Sequence, residues 1–208
     1  ECKKRDVLLI VDSTQGMGVA NLDFGTGNLD VVIASNYKWM NAGYGSGTLC
    51  LSDEFQSKYS PRVGGRNSMR MIDGVFSFPR DINSYEPGHV PLHNLLLLNA
   101  ALKVKKQFGF ENVQKHSHKL IQRLIDGIGA SFEIVGSPDT LNRAGIVGIT
   151  NQPDLFDHLT SEGIVCVERG ENIRFGFHYH NTEADVDAIV KALNTFQATT
   201  STPFQKAI

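Results

Sequence analysis

An α/β fold with a mostly parallel sheet is predicted by three features of the chain. Two short apolar runs, residues 7–11 and 31–34, show no alternation of polar and apolar positions, as in strands covered on both faces. Apolar residues fill a helix-length stretch at 91–108 and recur at helical spacing over 113–128. Short strand-like runs and two further helical segments follow. With 208 residues, 41% of them hydrophobic, and a formal net charge of -2, the chain can bury a sizeable core and has no electrostatic reason to seek nucleic acid.

Periodicity alone does not separate Val7-Leu8-Leu9-Ile10-Val11 from a buried helix. Its shortness, its β-branched residues and the turn-like Asp12-Ser13-Thr14-Gln15-Gly16 after it favour a strand. Asp30-Val31-Val32-Ile33-Ala34-Ser35 repeats the pattern. The residues between suffice for a short helical crossover, so the two strands are expected to lie parallel and adjacent, about 4.8 Å apart. Gly43-Tyr44-Gly45-Ser46-Gly47 leads into the strand-like Thr48-Leu49-Cys50-Leu51 and not into a helix, which removes the dinucleotide-loop reading. Its glycines are expected to let backbone pass close to Lys38.

Residues 91–108 read as a largely apolar helix ended by Gly109, and the run Leu95-Leu96-Leu97-Leu98 is too short to span a membrane. Val113, Leu120, Ile121, Leu124, Ile125 and Ile128 form the stripe of an amphipathic helix, opposite Lys115, Lys119, Gln122 and Arg123. That helix is expected to carry the chain out of a large domain, 1–111, into a small α/β domain, 112–208. Strands are expected near 132–135, 146–150, 164–167 and 173–179, with a helix near 153–162. Thr182 and Asp185 resemble a capping box before a last helix whose inner stripe is Val186, Ile189, Val190 and Leu193. The polar tail 199–208 is expected to be loosely held.

Asp12 and Lys38 would both emerge at the carboxyl edge of the sheet, where open α/β folds bind ligands. An acid and a lysine delivered together suit a pyridoxal phosphate (PLP) site. The amine forms a Schiff base with the aldehyde, and the acid keeps the pyridine nitrogen protonated, making the ring an electron sink. Asp12 is the candidate acid and Lys38 the candidate catalytic amine. Gln15 is placed to reach the ring's phenolic oxygen, and the hydroxyls of Ser35 and Tyr37 to reach the phosphate. The plainer alternative makes Asp12 a helix cap and Lys38 a solvated loop residue.

In Ile173-Arg174-Phe175-Gly176-Phe177-His178-Tyr179, alternation puts the apolar residues on one face and Arg174, Gly176 and His178 on the other. A guanidinium beside a glycine-sized gap can hold a carboxylate through two parallel hydrogen bonds; the alternative is an exposed arginine on a surface strand. His178 with His180, and His89 with His93, have spacings that could begin a metal site, but no carboxylate or cysteine completes a ligand set, and no metal is assigned. Arg62, Arg66 and Arg70 read as a solvated basic loop. Cys2, Cys50 and Cys166 are scattered and odd in number, which argues for a reducing compartment and the cytoplasm, and Cys166 reads as a small buried thiol.

Three motifs in order, Leu9-Ile10-Val11-Asp12-Ser13-Thr14-Gln15-Gly16, Ser35-Asn36-Tyr37-Lys38-Trp39 and Gly43-Tyr44-Gly45-Ser46-Gly47-Thr48-Leu49, resemble the class V aminotransferase family of fold type I PLP-dependent enzymes. The resemblance continues through Tyr85-Glu86-Pro87-Gly88 to Arg174, Tyr179, Asn181-Thr182-Glu183 and Asp185. It implies the later part of a fold type I large domain plus a small carboxyl-terminal domain, with Asp12 on the pyridine nitrogen, Gln15 on the ring oxygen, Lys38 as Schiff-base residue and proton shuttle, and Arg174 as carboxylate clamp. It also implies amino acid and keto acid substrates and a homodimer.

Two departures stand out. Tyr37 occupies a position where many relatives have histidine, which is closer to the kynureninase branch. His89 stands where relatives often carry a threonine that reaches a phosphate across the dimer interface. The chain also opens, without methionine, a few residues before a strand that in the family lies well inside the large domain. A truncated or processed piece is therefore expected, lacking the phosphate-cradling helix start and the ring that stacks on the cofactor.

Transamination is the leading expectation, a lyase of kynureninase or cysteine desulfurase type the alternative, and a non-catalytic carboxyl-terminal module the alternative of another class. The short connection between Cys166 and the Arg174 strand counts against a desulfurase, whose reactive cysteine in this family lies on a loop nearby.

Overall fold

The first apolar run forms a strand only in its second half. In the computed structural model, which describes residues 1–26 and 28–200 with side chains through 197, the chain divides into two compact units, Glu1–Gln107 and Phe108–Ile208. In the first, β1 (Ile10–Asp12) pairs in parallel with β2 (Val31–Ser35), and β3 (Gly47–Leu51) joins β2 antiparallel. The register stacks Asp12, Ile33 and Leu49 in one row and Val11, Val32 and Cys50 in the next.

Alternation across these rows separates the two faces. Val32 and Ala34 are buried, whereas Ile10, Ile33 and Leu49 are 56%, 47% and 38% exposed. The expectation of cover on both faces holds toward one end only: Val31 and Leu51 share the face of Ile10 and Ile33 and are buried, so that face opens around Ile33 and Leu49, and among the described residues β1 is an edge strand. Residues 7–9 lie outside the strand because the Val7 N–H turns back to the Cys2 carbonyl, at 3.0 Å.

The crossover is not helical. Two successive turns accept backbone bonds at the carbonyls of Ser13 and Gly16, and Gly18 at φ 96° cannot continue a helix. After β3 come two elements the sequence reading passed over. The short helix α1 (Asp53–Lys58) is capped by Ser52, whose Oγ accepts from the Phe55 N–H at 3.1 Å. The hairpin β4 (Arg70–Ile72) and β5 (Val75–Ser77) turns at Asp73-Gly74, φ 50° and 81°, which fits a type I′ turn.

Helix α2 (Leu92–Phe108) matches the expected apolar helix and is followed by Gly109 at φ 93°. It also explains the glycine loop. Gly43 and Gly45 have φ 69° and 89°, and a Cβ on them would lie 2.9 Å from Leu97 Cδ1 and 2.7 Å from Asn94 Nδ2, which itself donates to the Gly45 carbonyl. These glycines admit the helix, not the lysine. The one buried residue of α2 is Lys105, 1% exposed, with Nζ 3.5 Å from the Gly18 carbonyl. Burial pushes its ammonium down to about 8.

The second unit begins with α3 (Phe110–Ile128), whose buried residues include Val113, Leu120, Ile121, Leu124 and Ile128. Then follow β6 (Ile134–Val135), β7 (Ile146–Thr150), α4 (Leu155–Ser161), β8 (Val167–Arg169), β9 (Asn172–Gly176) and α5 (Glu183–Thr200). The sheet runs β6-β7-β9-β8, antiparallel throughout, and its Val147, Ile149, Ile173 and Phe175 share one core with α3, α4 and α5.

The capping box is reciprocal: Asp185 Oδ2 accepts from the Thr182 N–H at 2.8 Å, and Thr182 Oγ1 from the Asp185 N–H at 3.4 Å. Of the expected tail, Thr199 and Thr200 belong to α5, and residues 201–208 lie outside the described residues. No described helix is long and apolar enough to cross a membrane.

Lys105 carries a stability prediction. Between about pH 8 and the ordinary lysine value of 10.5, the unfolded chain holds a proton that the folded chain has released, so folding stability gains from this group as pH rises through that window. Lys105→Met is expected to be more stable than the parent at pH 7, by roughly 1–2 kcal/mol. Urea midpoints measured at intervals from pH 7 to 10.5 should show that gap closing.

Candidate functional site

Asp12 ends β1, and its carboxylate accepts from the Thr14 N–H at 2.9 Å in a tight turn. Thr14 Oγ1 in turn accepts from the Ser35 N–H at 3.0 Å, tying the end of β1 to the end of β2. Hydrogen bonding from Thr14, with a smaller contribution from the Lys38 charge, holds the Asp12 carboxyl below its ordinary value even though the group is exposed. Thr14 outweighs desolvation there, and the Lys38 charge is the smallest of these influences.

Lys38 follows in a loop that does not depend on the lysine side chain for its shape. Asn36, fully buried, accepts from Thr48 Oγ1 at 2.9 Å and donates to Ser46 Oγ at 3.3 Å, while its carbonyl accepts from the Ala42 N–H at 2.9 Å. Residues 36–42 close on that buried amide. Lys38 Nζ lies 5.6 Å from the centroid of the Tyr37 ring, which stacks on Tyr44 at 4.9 Å. Trp39, 8% exposed, donates from Nε1 to Gln15 Oε1 at 2.8 Å.

Asp12, Gln15, Ser35, Tyr37 and Lys38 thus all lie at the ends of two adjoining parallel strands and in the segments that follow them, within the first unit. Arg174 lies in the second unit, half-buried at the middle of β9, between Ile173 and Phe175 of the core. The strand ends at Gly176, and its alternation carries on only to Phe177, which is buried and donates its N–H to the Gly145 carbonyl at 2.7 Å. Beyond it His178 is 6% exposed, its N–H donates to Asn181 Oδ1 at 2.9 Å, and its ring stacks on His180 at 5.3 Å. The expected grouping of His178 with Arg174 on a polar strand face is therefore replaced by a turn. Among the described residues no three His, Cys, Asp or Glu side chains gather to hold a metal ion.

Thr14, Asn36 and Trp39 were not singled out as site residues from the sequence. Thr14 has a signal, since an acid two residues before a threonine favours an Asx-type turn. The Trp39 partner is 24 residues away and leaves no periodic trace.

Asp12 and Lys38 thus stand at the carboxyl edge of a parallel strand pair, the edge at which open α/β sheets bind ligands. The chain belongs to the class V aminotransferase family, whose family model, Aminotransferase class-V, matches residues 1–189. It is 23% identical to an uncharacterized aminotransferase of Schizosaccharomyces pombe, covering 92% of this chain and 51% of that protein. It is 26% identical to a kynureninase of Yarrowia lipolytica, over 80% and 46%, and 21% identical to a probable cysteine desulfurase of Pyrococcus abyssi, over 92% and 52%.

Among solved structures it resembles the apo cysteine desulfurase of Thermococcus onnurineus, with TM-score 0.82 and 19% identity over 95% of this chain and 54% of that one. It also resembles a cystine C-S lyase variant with glycine covalently linked to its PLP cofactor, at TM-score 0.78 and 20% identity over 90% and 51%. These likenesses show the fold. The chain spans about half the length of the curated relatives it matches.

Replacing Thr14 by valine removes the hydroxyl while keeping the backbone N–H. The Asp12 carboxyl is expected to titrate at higher pH than in the parent, and loss of the Ser35 contact to cost about 1 kcal/mol. Carbon-detected NMR titration of the Asp12 carboxyl, with a urea melt of the same variant, checks both.

Proposed function

We propose that the chain is the lysine-bearing portion of a PLP-dependent enzyme acting on amino acids. The observation that carries this reading is the Asp12–Lys38 pair: an acid held ionised by Thr14 within the field of an amine on the neighbouring strand's loop. The residues fit the cofactor chemically. Asp12 suits a protonated pyridine nitrogen, the Gln15 amide a ring oxygen, the Ser35 and Tyr37 hydroxyls a phosphate, and Lys38 an aldehyde. When bound, the cofactor supplies an electron sink for a carbanion at the substrate α-carbon.

The residues of the chain do the rest. With the cofactor bound, Lys38 Nζ would take the α-proton of the substrate and return it. Asp12 holds the proton on the ring nitrogen. Arg174, whose guanidinium makes no hydrogen bond or ion pair among the described residues, offers a two-pronged donor to the substrate carboxylate. Amino acids and keto acids are the substrates, and a cytoplasmic homodimer is the form we propose.

Transamination, the expectation from the sequence, and a lyase reaction both suit this site, and the lyase reading has at least as much support, from Tyr37 and from the similarity to the Yarrowia kynureninase and the probable Pyrococcus cysteine desulfurase. A desulfurase acting through Cys166 has less support. Burial and Glu168 push its thiol up, opposite to what a thiolate nucleophile needs, and only Gly170 and Glu171 separate β8 from β9.

Adding PLP to the intact natural protein is expected to give a visible absorption band that borohydride bleaches, and Lys38→Ala is expected to lose it. A band that survives that substitution removes Lys38 from its role, and absence of any band in the parent leaves a non-catalytic module. Incubation with an amino acid panel, scored for keto acid release against side-chain cleavage, separates transaminase from lyase. Arg174→Lys is expected to raise KM about tenfold or more with a smaller change in kcat, since one prong of the fork is lost.

A further inference from the structure

We infer that Trp39 is a positioning residue: its indole fixes which end of the Gln15 amide faces the cofactor ring oxygen. The inference rests on the PLP reading above. An indole N–H only donates, so its bond to Gln15 at 2.8 Å requires the amide oxygen at that end and leaves the NH2 end directed elsewhere. No other hydrogen bond engages that NH2 among the described residues, and the amide is not sealed in the interior.

A solvated glutamine amide turns over freely about its last bond. In the reversed orientation it would set oxygen against a negatively charged ring oxygen. In the orientation held by Trp39 it presents a donor.

Trp39 itself has little freedom. It is buried, and its backbone is pressed against the turn that carries Gln15: a Cβ built on Gly18 would lie 2.8 Å from the Trp39 carbonyl oxygen and 2.8 Å from Met40 Sδ. Gly18 sits at φ 96°, so this close approach is fixed by a backbone shape that favours glycine. Residues 38 and 39 are consecutive. The segment that delivers the amine therefore also delivers the group that orients the ring-oxygen donor. A donor there stabilises the more negative, deprotonated state of the lysine-bound cofactor, and so lowers the pH at which that state forms.

Trp39 is the single tryptophan of the chain, so its indole N–H gives one NMR signal that can be read without cofactor. Gln15→Ala is expected to shift that signal and speed its exchange with solvent about tenfold or more, the scale of one lost hydrogen bond. Gln15→Glu, which keeps an acceptor oxygen, is expected to preserve it. An unchanged signal in Gln15→Ala overturns the inference.

With PLP added to the intact natural protein, Trp39→Phe is expected to keep the borohydride-sensitive band, because Lys38 is untouched, but to raise the pH midpoint of its colour change by about one unit. A merely structural role would lower cofactor occupancy and leave the midpoint in place. Should Trp39→Phe not fold, Trp39→Met, which keeps apolar bulk and lacks the indole N–H, carries the same test and should raise the midpoint as well. Equal midpoints sink the role of Trp39 and leave the PLP reading standing; a parent protein without any band sinks both.

Discussion

Everything proposed for the first unit depends on the register between β1 and β2, and a buried carboxylate sets it. Asp30 is 3% exposed, its Oδ2 accepts from the Leu9 N–H at 2.8 Å, and its own N–H donates to the Leu9 carbonyl at 3.1 Å. This two-sided clamp just before the strands makes Ile10 face Val31 and Asp12 face Ile33. A slip of one residue would turn every side chain to the opposite face. Asp12 would then point to the side of Val32 and Ala34, where an ionised carboxylate loses its water. The acid is available because the register puts it beside exposed Ile33, at the open end of a face whose other end, Val31 and Leu51, is buried.

The lysine loop follows a similar logic. Its shape comes from Asn36, whose amide and backbone are satisfied at full burial, and from the Lys38 carbonyl, which accepts from the Asn41 N–H at 3.0 Å, so that no hydrogen bond of the Lys38 side chain is needed to hold the loop. An amine that must form and break a covalent bond benefits from such independence. The Tyr37 face interacts with the ammonium without accepting its proton.

What the sequence made legible was local. Unalternating apolar runs marked the positions of β1 and β2, the stripe of α3 needed only helical spacing, and the Thr182 capping box spans one turn. Two local signals were present and passed over: Ser52 before Asp53-Glu54, and Asp73-Gly74 between short apolar runs. The remainder was not local. An apolar run reports composition without naming its neighbours, so the exposure of Ile10 and Ile33 was invisible, as was the burial of Lys105 on a helix whose leucines Leu92, Leu95 and Leu96 are exposed. His178 escaped because strand alternation was extended past Phe177, where a turn takes over. Asp12 and Lys38 were legible as a pair because parallel strands force their ends together, whereas the Thr14 and Trp39 contacts that tune the site depend on turns whose shape the sequence only suggests.

The pKa directions in the two units bear on where chemistry can reside. Asp12 is exposed, and hydrogen bonds from Thr14 outweigh desolvation and decide the outcome in favour of the anion. Such an acid can hold a proton on a neighbouring ring nitrogen by charge without surrendering its own ionisation. Cys166 lies partly buried against the apolar core of the second unit, beside Glu168, and both influences favour the neutral thiol. One environment prepares a charge and the other suppresses one. A nucleophile is needed as its charged or lone-pair form at the moment of attack. By that criterion the thiol of Cys166 belongs to packing, and the strand edge that carries the Asp12 anion is where we propose the chemistry resides.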